Sequence, residues 1–262
     1  MAGATIAMRT WGQPGSPGVV LVHGGSAHAG WWDHIAPHLA HGRHVVALDL
    51  SGHGDSDHRS AYGPALWAQE VAAAARIAGE GRPVALIGHS MGGRVALVTA
   101  TQHPALIGAV ALVDSPLVDL EFDEDVLERR RRRAMPLYAS KAEAMERFVT
   151  APAQDMVLPY VRDHIAALSV GEVGGRWTWK FDRAVVGSLA RLTPYVATLG
   201  CPVTLFRCEH GILPDGVAFK LALLVGDHAR VVELLEMGHH PMLDRPLALI
   251  STLRTQLAAW RC

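Results

Sequence analysis

A β-branched apolar run, Val84 to Ile87, passes without a spacer into Gly88-His89-Ser90-Met91-Gly92-Gly93, and that turn passes directly into the helical run Arg94 to Thr101. Strand, turn and helix in immediate succession leave the turn little choice of shape. Glycines at 88 and 92 admit a sharp reversal that holds the serine hydroxyl clear of the sheet, and the helix N-terminus behind it stabilises negative charge developing there. A chain built on this unit sets each strand beside the helix that follows it, and repeating the unit gives a layered α/β domain.

The repetition is present. Short apolar runs read as buried strands at Val19 to Val22, Val45 to Leu48, Val84 to Ile87, Val110 to Val113, Val203 to Phe206 and Val231 to Leu235. Helix-length segments such as Leu66 to Gly79 and Arg94 to Gln102 separate them, and a final amphipathic helix is predicted over Pro246 to Trp260. The alternation stops between Ser115 and Thr198, where a charged helix, several prolines and the aromatic stretch Trp177 to Phe181 offer no core strand. The expected division is a core at 1–114 and 199–262 with a helical cap inserted at 115–198. No internal repeat is apparent.

Composition removes several function classes. Half the residues are apolar and the formal net charge is −1, so no global field gathers a phosphate backbone or an acidic membrane surface. Nucleic-acid and membrane partners are therefore not expected, and a small-molecule substrate is. Cys201, Cys208 and Cys262 form no disulfide framework or zinc knuckle, the start of the chain does not read as a signal peptide, and a cytoplasmic location follows. The fifteen histidines show no metal-ligand spacing, so neither metal nor cofactor is expected.

A serine hydroxyl needs a base to take its proton. Gly238-His239-His240-Pro241 supplies one late in the chain, after the strand Val231 to Leu235. His239 is preferred over His240 because glycine precedes it directly. An acid must orient the imidazole. Asp114 ends the strand Val110 to Val113 and is the leading candidate; Glu209 is the alternative, and Asp215 stands behind both. Oxyanion donors are expected from the backbone N–H groups of Met91, which follows the serine, and of Gly25 in His23-Gly24-Gly25-Ser26. His23 and Ser26 read as scaffolding for that turn. His28, His34, His38 and His41 read as loop residues without partners, and Asp49 to Ser56 as an architectural rim loop.

HGG at 23–25, DLSGHGDS at 49–56, GHSMGG at 88–93 and GHHPMLDRP at 238–246, in that order, resemble the α/β-hydrolase superfamily of GxSxG type. The resemblance covers about 18–115 and 200–260. It implies an eight-stranded, mostly parallel sheet flanked by helices, with the reactive groups on loops at the strands' carboxyl ends. One position departs from the family pattern: Gly211 stands where the acid is usual.

The activity expected is cofactor-independent hydrolysis of a carboxylic ester, lactone or thioester through an acyl-serine at Ser90. Alternatives on the same scaffold are carbon–carbon bond hydrolysis, peroxide-dependent oxidation or a cyclisation, and a ligand-binding protein without turnover. The cap carries two further candidates. Trp177, Trp179 and Phe181 alternate along an extended stretch and either wall a substrate pocket or pack the cap on the core. Arg129 to Arg133 circle a helix, which reads as a solvated face or as a docking patch for an acyl carrier or acyl-thioester donor.

Overall fold

The computed structural model describes residues 3–260 except 120, 122, 190, 197, 198, 218, 219, 222, 224 and 225. Thr198, at the expected cap boundary, and Cys262 thus lie outside the described residues. Strands β1 (Met8–Gly12), β2 (Gly18–Val22), β3 (His44–Leu48), β4 (Val84–His89), β5 (Ile107–Val113), β8 (Val203–His210) and β9 (Ala229–Gly238) form one sheet. Its order is β1-β3-β2-β4-β5-β8-β9, and every pairing is parallel except β1 with β3.

Seven strands stand where eight were expected. Residues 5–7, ahead of β1, give their backbone groups to the loop at 49–57 instead of to a further strand. Thr5 N–H donates to Asp57, Ala7 N–H to the Ser56 hydroxyl, and Ala7 C=O accepts from Asp49 N–H.

β2 and β3 are buried along their whole length, as parallel strands covered on both faces must be. Alternation splits their side chains between two cores. Val20, Val22, Val46 and Leu48 pack with Trp67, Val71 and Ala75 of α2 (Pro64–Gly79) and Val95 and Val98 of α3 (Met91–Gln102). Val19, Leu21, Val45 and Ala47 pack on the other side with Trp32, near α1 (Ala36–Leu39), and with Leu249, Leu253 and Leu257 of the final helix Pro246–Ala259.

Between β5 and β8 lie α4 (Glu124–Arg132), α5 (Lys141–Glu146) and α6 (Pro159–Ser169), and a separate antiparallel hairpin of β6 (Val170–Val173) and β7 (Arg176–Trp179). The segment is therefore not purely helical as expected: Gly174-Gly175, both at positive φ, close a hairpin that carries the aromatic stretch. Val161 and Ile165 of α6 join the second core beside Trp31 and Trp32. No described helix is long and apolar enough to cross a membrane.

Candidate active site

Ser90 sits between the last residue of β4 and the first of α3 at φ 51° and ψ −116°, a conformation that a side chain rarely adopts. The turn closes this tightly because a Cβ at Gly92 would lie 2.4 Å from the carbonyl oxygens of both Val22 and His23. Only glycine lets the start of α3 press against the end of β2. Ser90, Asp114, His239 and Gly25 all follow the carboxyl ends of their strands, so the parallel sheet brings them to one rim.

The rim joins three of the predicted residues in a chain of hydrogen bonds. Ser90 Oγ lies 3.0 Å from His239 Nε2, and His239 Nδ1 lies 2.7 Å from Asp114 Oδ2. Asp114 and His239 are buried while Ser90 is half-buried and open to a ligand. The Asp114 carboxylate also accepts from the N–H groups of Cys208, at 3.1 Å, and Ile212, at 2.9 Å. Hydrogen-bond donors on all sides suit a charged carboxylate buried next to an imidazole.

The unusual Gly211 is explained at this point. A Cβ there would fall 2.3 Å from Asp114 Oδ2, so the Asp114 carboxylate fills the space that a side chain at 211 would need. The competing acids lie elsewhere. Glu209 is exposed and accepts from Glu236 N–H at 2.8 Å, and Asp215 pairs with Arg207 at 2.9 Å in open solvent.

The residues predicted to give backbone donors stand at the same rim, a Cβ at Gly25 falling 3.8 Å from Met91 Sδ. Met91 is the first residue of α3, so its N–H has no acceptor within the helix. Gly25 and Ser26 are exposed beside it. His23 holds this turn from below: its Nδ1 bonds Gly24 C=O at 2.7 Å, and its Nε2 accepts from Leu50 N–H at 3.0 Å. Asp49 in turn accepts from Ala29 and Asp55 N–H at 2.6 and 2.8 Å. The loop at 49–56 is thus a brace for the turn, as its architectural reading expected.

Several supports were not legible in the sequence. His89 Nε2–H donates to His239 C=O at 2.8 Å. Gln154, from the segment between β5 and β8, accepts from His240 N–H at 2.9 Å, and Asp244 accepts from Gly238 N–H at 2.7 Å. Together they fix the loop that carries His239. The expectation for His28 and His34 fails: His28 is buried with its Nε2 3.0 Å from Ser169 Oγ, and His34 Nε2 bonds Met242 C=O at 2.7 Å. Burial lowers the pKa of His23 to about 4 and of His28, His53 and His240 to about 3, and that of His89 well below the usual value. These rings surround the site as neutral groups.

Sequence spacing offers no metal set, yet the fold gathers His89, His239 and His240 with one ligand atom from each within 4.8 Å of the others. A metal there would take the nitrogen lone pair that faces Ser90, so the cluster and the Ser90 hydrogen bond compete for one ring.

A cavity of about 250 Å³ opens beside Gly25 and Ser26, walled by Trp31, Phe148, Trp179 and Phe181 and floored by His28 and His240. Trp179 and Phe181 therefore line it as one reading expected. Trp177 does not: two residues along a strand is roughly 7 Å, and its ring sits under the Lys141 ammonium, 5.7 Å from the centroid. A larger hollow of about 800 Å³ is lined by Pro17, Arg43, Pro83 and Pro202. Those residues precede their strands, so it lies at the opposite end of the sheet from Ser90.

Residues 17–159 match the family model for the alpha/beta hydrolase fold. Esterase Rv0045c of Mycobacterium tuberculosis is 30% identical over 262 residues, spanning 97% of this chain and 86% of that protein. Lipase LipV of the same organism is 26% identical over 256 residues, spanning 95% and 97%. Among solved structures, a thioesterase domain from the curacin biosynthetic pathway superposes with a TM-score of 0.80 over 97% of this chain and 96% of that one. At 24% identity, that is a likeness of fold.

Proposed function

The chain belongs to the alpha/beta hydrolase fold family and has an ester-hydrolysing role; from that premise we propose that it cleaves a carboxylic ester, lactone or thioester through an acyl-enzyme on Ser90. The observation that carries this reading is the continuous hydrogen-bonded chain from Ser90 Oγ through His239 to Asp114.

As Ser90 Oγ attacks the substrate carbonyl carbon, its proton passes to His239 Nε2. Asp114 accepts the Nδ1–H of the resulting imidazolium and keeps it aligned. The carbonyl oxygen, now an oxyanion, is received by the N–H groups of Gly25 and Met91, donors each typically worth about 3 kcal/mol in such a transition state. Collapse breaks the bond to the leaving oxygen or sulfur, which takes the proton from His239. Water then repeats the sequence: it gives its proton to His239, attacks the acyl carbon, and the acid leaves as Ser90 recovers its proton. The neutral His89 and His240 add no positive charge that would oppose protonation of His239.

The reading includes a small-molecule substrate and a cytoplasmic place of work, where the buried thiol of Cys208 suits a reducing medium. Intact-mass analysis after exposure to a serine-reactive fluorophosphonate tests the mechanism. One adduct is expected on the wild type and none on Ser90→Ala or His239→Ala. A folded wild type that takes up no adduct overturns it.

A further inference from the structure

The cavity beside the Gly25-Ser26 turn carries a charge that the chain as a whole does not. The protein has a formal net charge of −1, yet the wall holds Arg147, Lys180 and Arg183 and, among the described residues, no aspartate or glutamate. Lys180 is paired with Asp55 at 2.6 Å. Arg147 makes no side-chain hydrogen bond or ion pair with a described residue. Arg183 donates its Nε–H to the Met135 sulfur at 3.0 Å, a weak acceptor, and its terminal nitrogens have no partner among the described residues. His28 and His240, which also line the cavity, are held neutral by burial and add no further positive charge to it.

Arg183 is half-buried and Arg147 exposed at the cavity's edge, so together they can receive an anion that the described lining does not supply. Four aromatic rings line the remaining wall, and a volume of about 250 Å³ at roughly 30 Å³ for each water-sized group holds on the order of eight non-hydrogen atoms. A planar guanidinium matches a carboxylate edge to edge. We propose that this cavity selects esters whose acyl chain ends in a carboxylate, such as half-esters of a dicarboxylic acid of about six carbons. Arg147 and Arg183 take the terminal carboxylate, the rings of Trp31, Phe148 and Trp179 take the methylenes, and the ester carbonyl lies at the Gly25 end. This specificity rests on the acyl-Ser90 reading above.

Two matched pairs separate the two ideas. For turnover, 4-nitrophenyl hydrogen adipate is compared with its terminal amide, 4-nitrophenyl adipamate, which is neutral and of equal size. For binding alone, adipamate is compared with adipamide by tryptophan fluorescence, since Trp31 and Trp179 line the cavity. The charged member is expected to lead at least tenfold in kcat/KM and in affinity. Both ratios should fall towards one in Arg147→Gln and Arg183→Gln, and Arg183→Lys should restore part of the preference. Arg147 is exposed, so its variant folds even where Arg183→Gln does not. Equal affinity of the wild type for adipamate and adipamide overturns the specificity and leaves the hydrolase reading standing. Tight adipamate binding without turnover of either ester overturns the acyl-serine reading and upholds the carboxylate site.

Discussion

The rim of the sheet and the wall of the neighbouring cavity are held in contrasting ways. At the rim, Asp114 is fully buried and accepts three hydrogen bonds, and both ring nitrogens of His239 are engaged. In the neighbouring cavity, the wall includes side chains such as Trp179, half-buried, and Arg147, exposed and without a partner among the described residues. The hydrogen-bonded groups of the rim stand on strand ends and a helix start, where packing fixes them. Much of the wall, from Arg147 to Ala151 and from Trp179 to Arg183, comes from the segment between β5 and β8, and the rest from Gly25 to Trp31 and His240. On the proposed reading, reaction and selection divide between a closely held region and a more open one.

The sharpest way to break this contrast is Ser90→Ala, expected to lower kcat about 10⁴-fold or more with little change in thermal midpoint. Retained turnover in steady-state assays would remove the rim from the reaction. Next is Gly211→Ala. Its Cβ would meet Asp114 Oδ2 at 2.3 Å and push the carboxylate off His239, so kcat should fall about 100-fold with KM almost unchanged.

Acid should loosen the rim and the cavity together, because their buried histidines titrate alike. His23, His28, His53, His89 and His240 have folded-state pKa values below the usual 6.5, first of all because they are buried. Below pH about 6.5 the unfolded chain binds protons that the folded chain refuses. Stability is therefore complete above that pH and is lost as pH falls towards 4, by about 1.4 kcal/mol per pH unit for each histidine that fully lags. Urea midpoints measured between pH 7 and 4.5 check the slope, and a flat profile contradicts neutral burial.

Two smaller effects sharpen the boundary. Gln154 belongs by sequence to the loose segment but accepts from His240 N–H at the rim. Gln154→Ala should accordingly act like a rim change, lowering kcat about tenfold with KM held. Trp179→Ala should do the reverse, raising KM about fivefold with kcat within a factor of two. If both variants shift the same constant, the division fails.

What the sequence made legible follows the same boundary. Ser90 is set by a local strand, turn and helix, and Asp114 and His239 by their places just after strands, so the three groups that the rim joins by hydrogen bonds were readable in order along the chain. Supports that act across long separations were not. Gln154 meets His240 across 86 residues and His89 meets His239 across 150, and neither has a local pattern to mark it. His28 was misread because its partner, Ser169, lies 141 residues away. β1 was missed because an edge strand need not be apolar, and its MRTWG is only partly buried. Trp177 was grouped with Trp179 on alternation alone, which gives a face and not a distance.

The mutual exclusion of a side chain at 211 and the carboxylate at 114 bears on how such proteins change by descent. Moving the acid from one strand end to the other takes two substitutions. If residue 211 gains its carboxylate first, two acids collide; if Asp114 is lost first, the imidazole has none. Either order passes through a state in which the pairing with His239 is broken, so residues 114 and 211 are bound to change together or not at all.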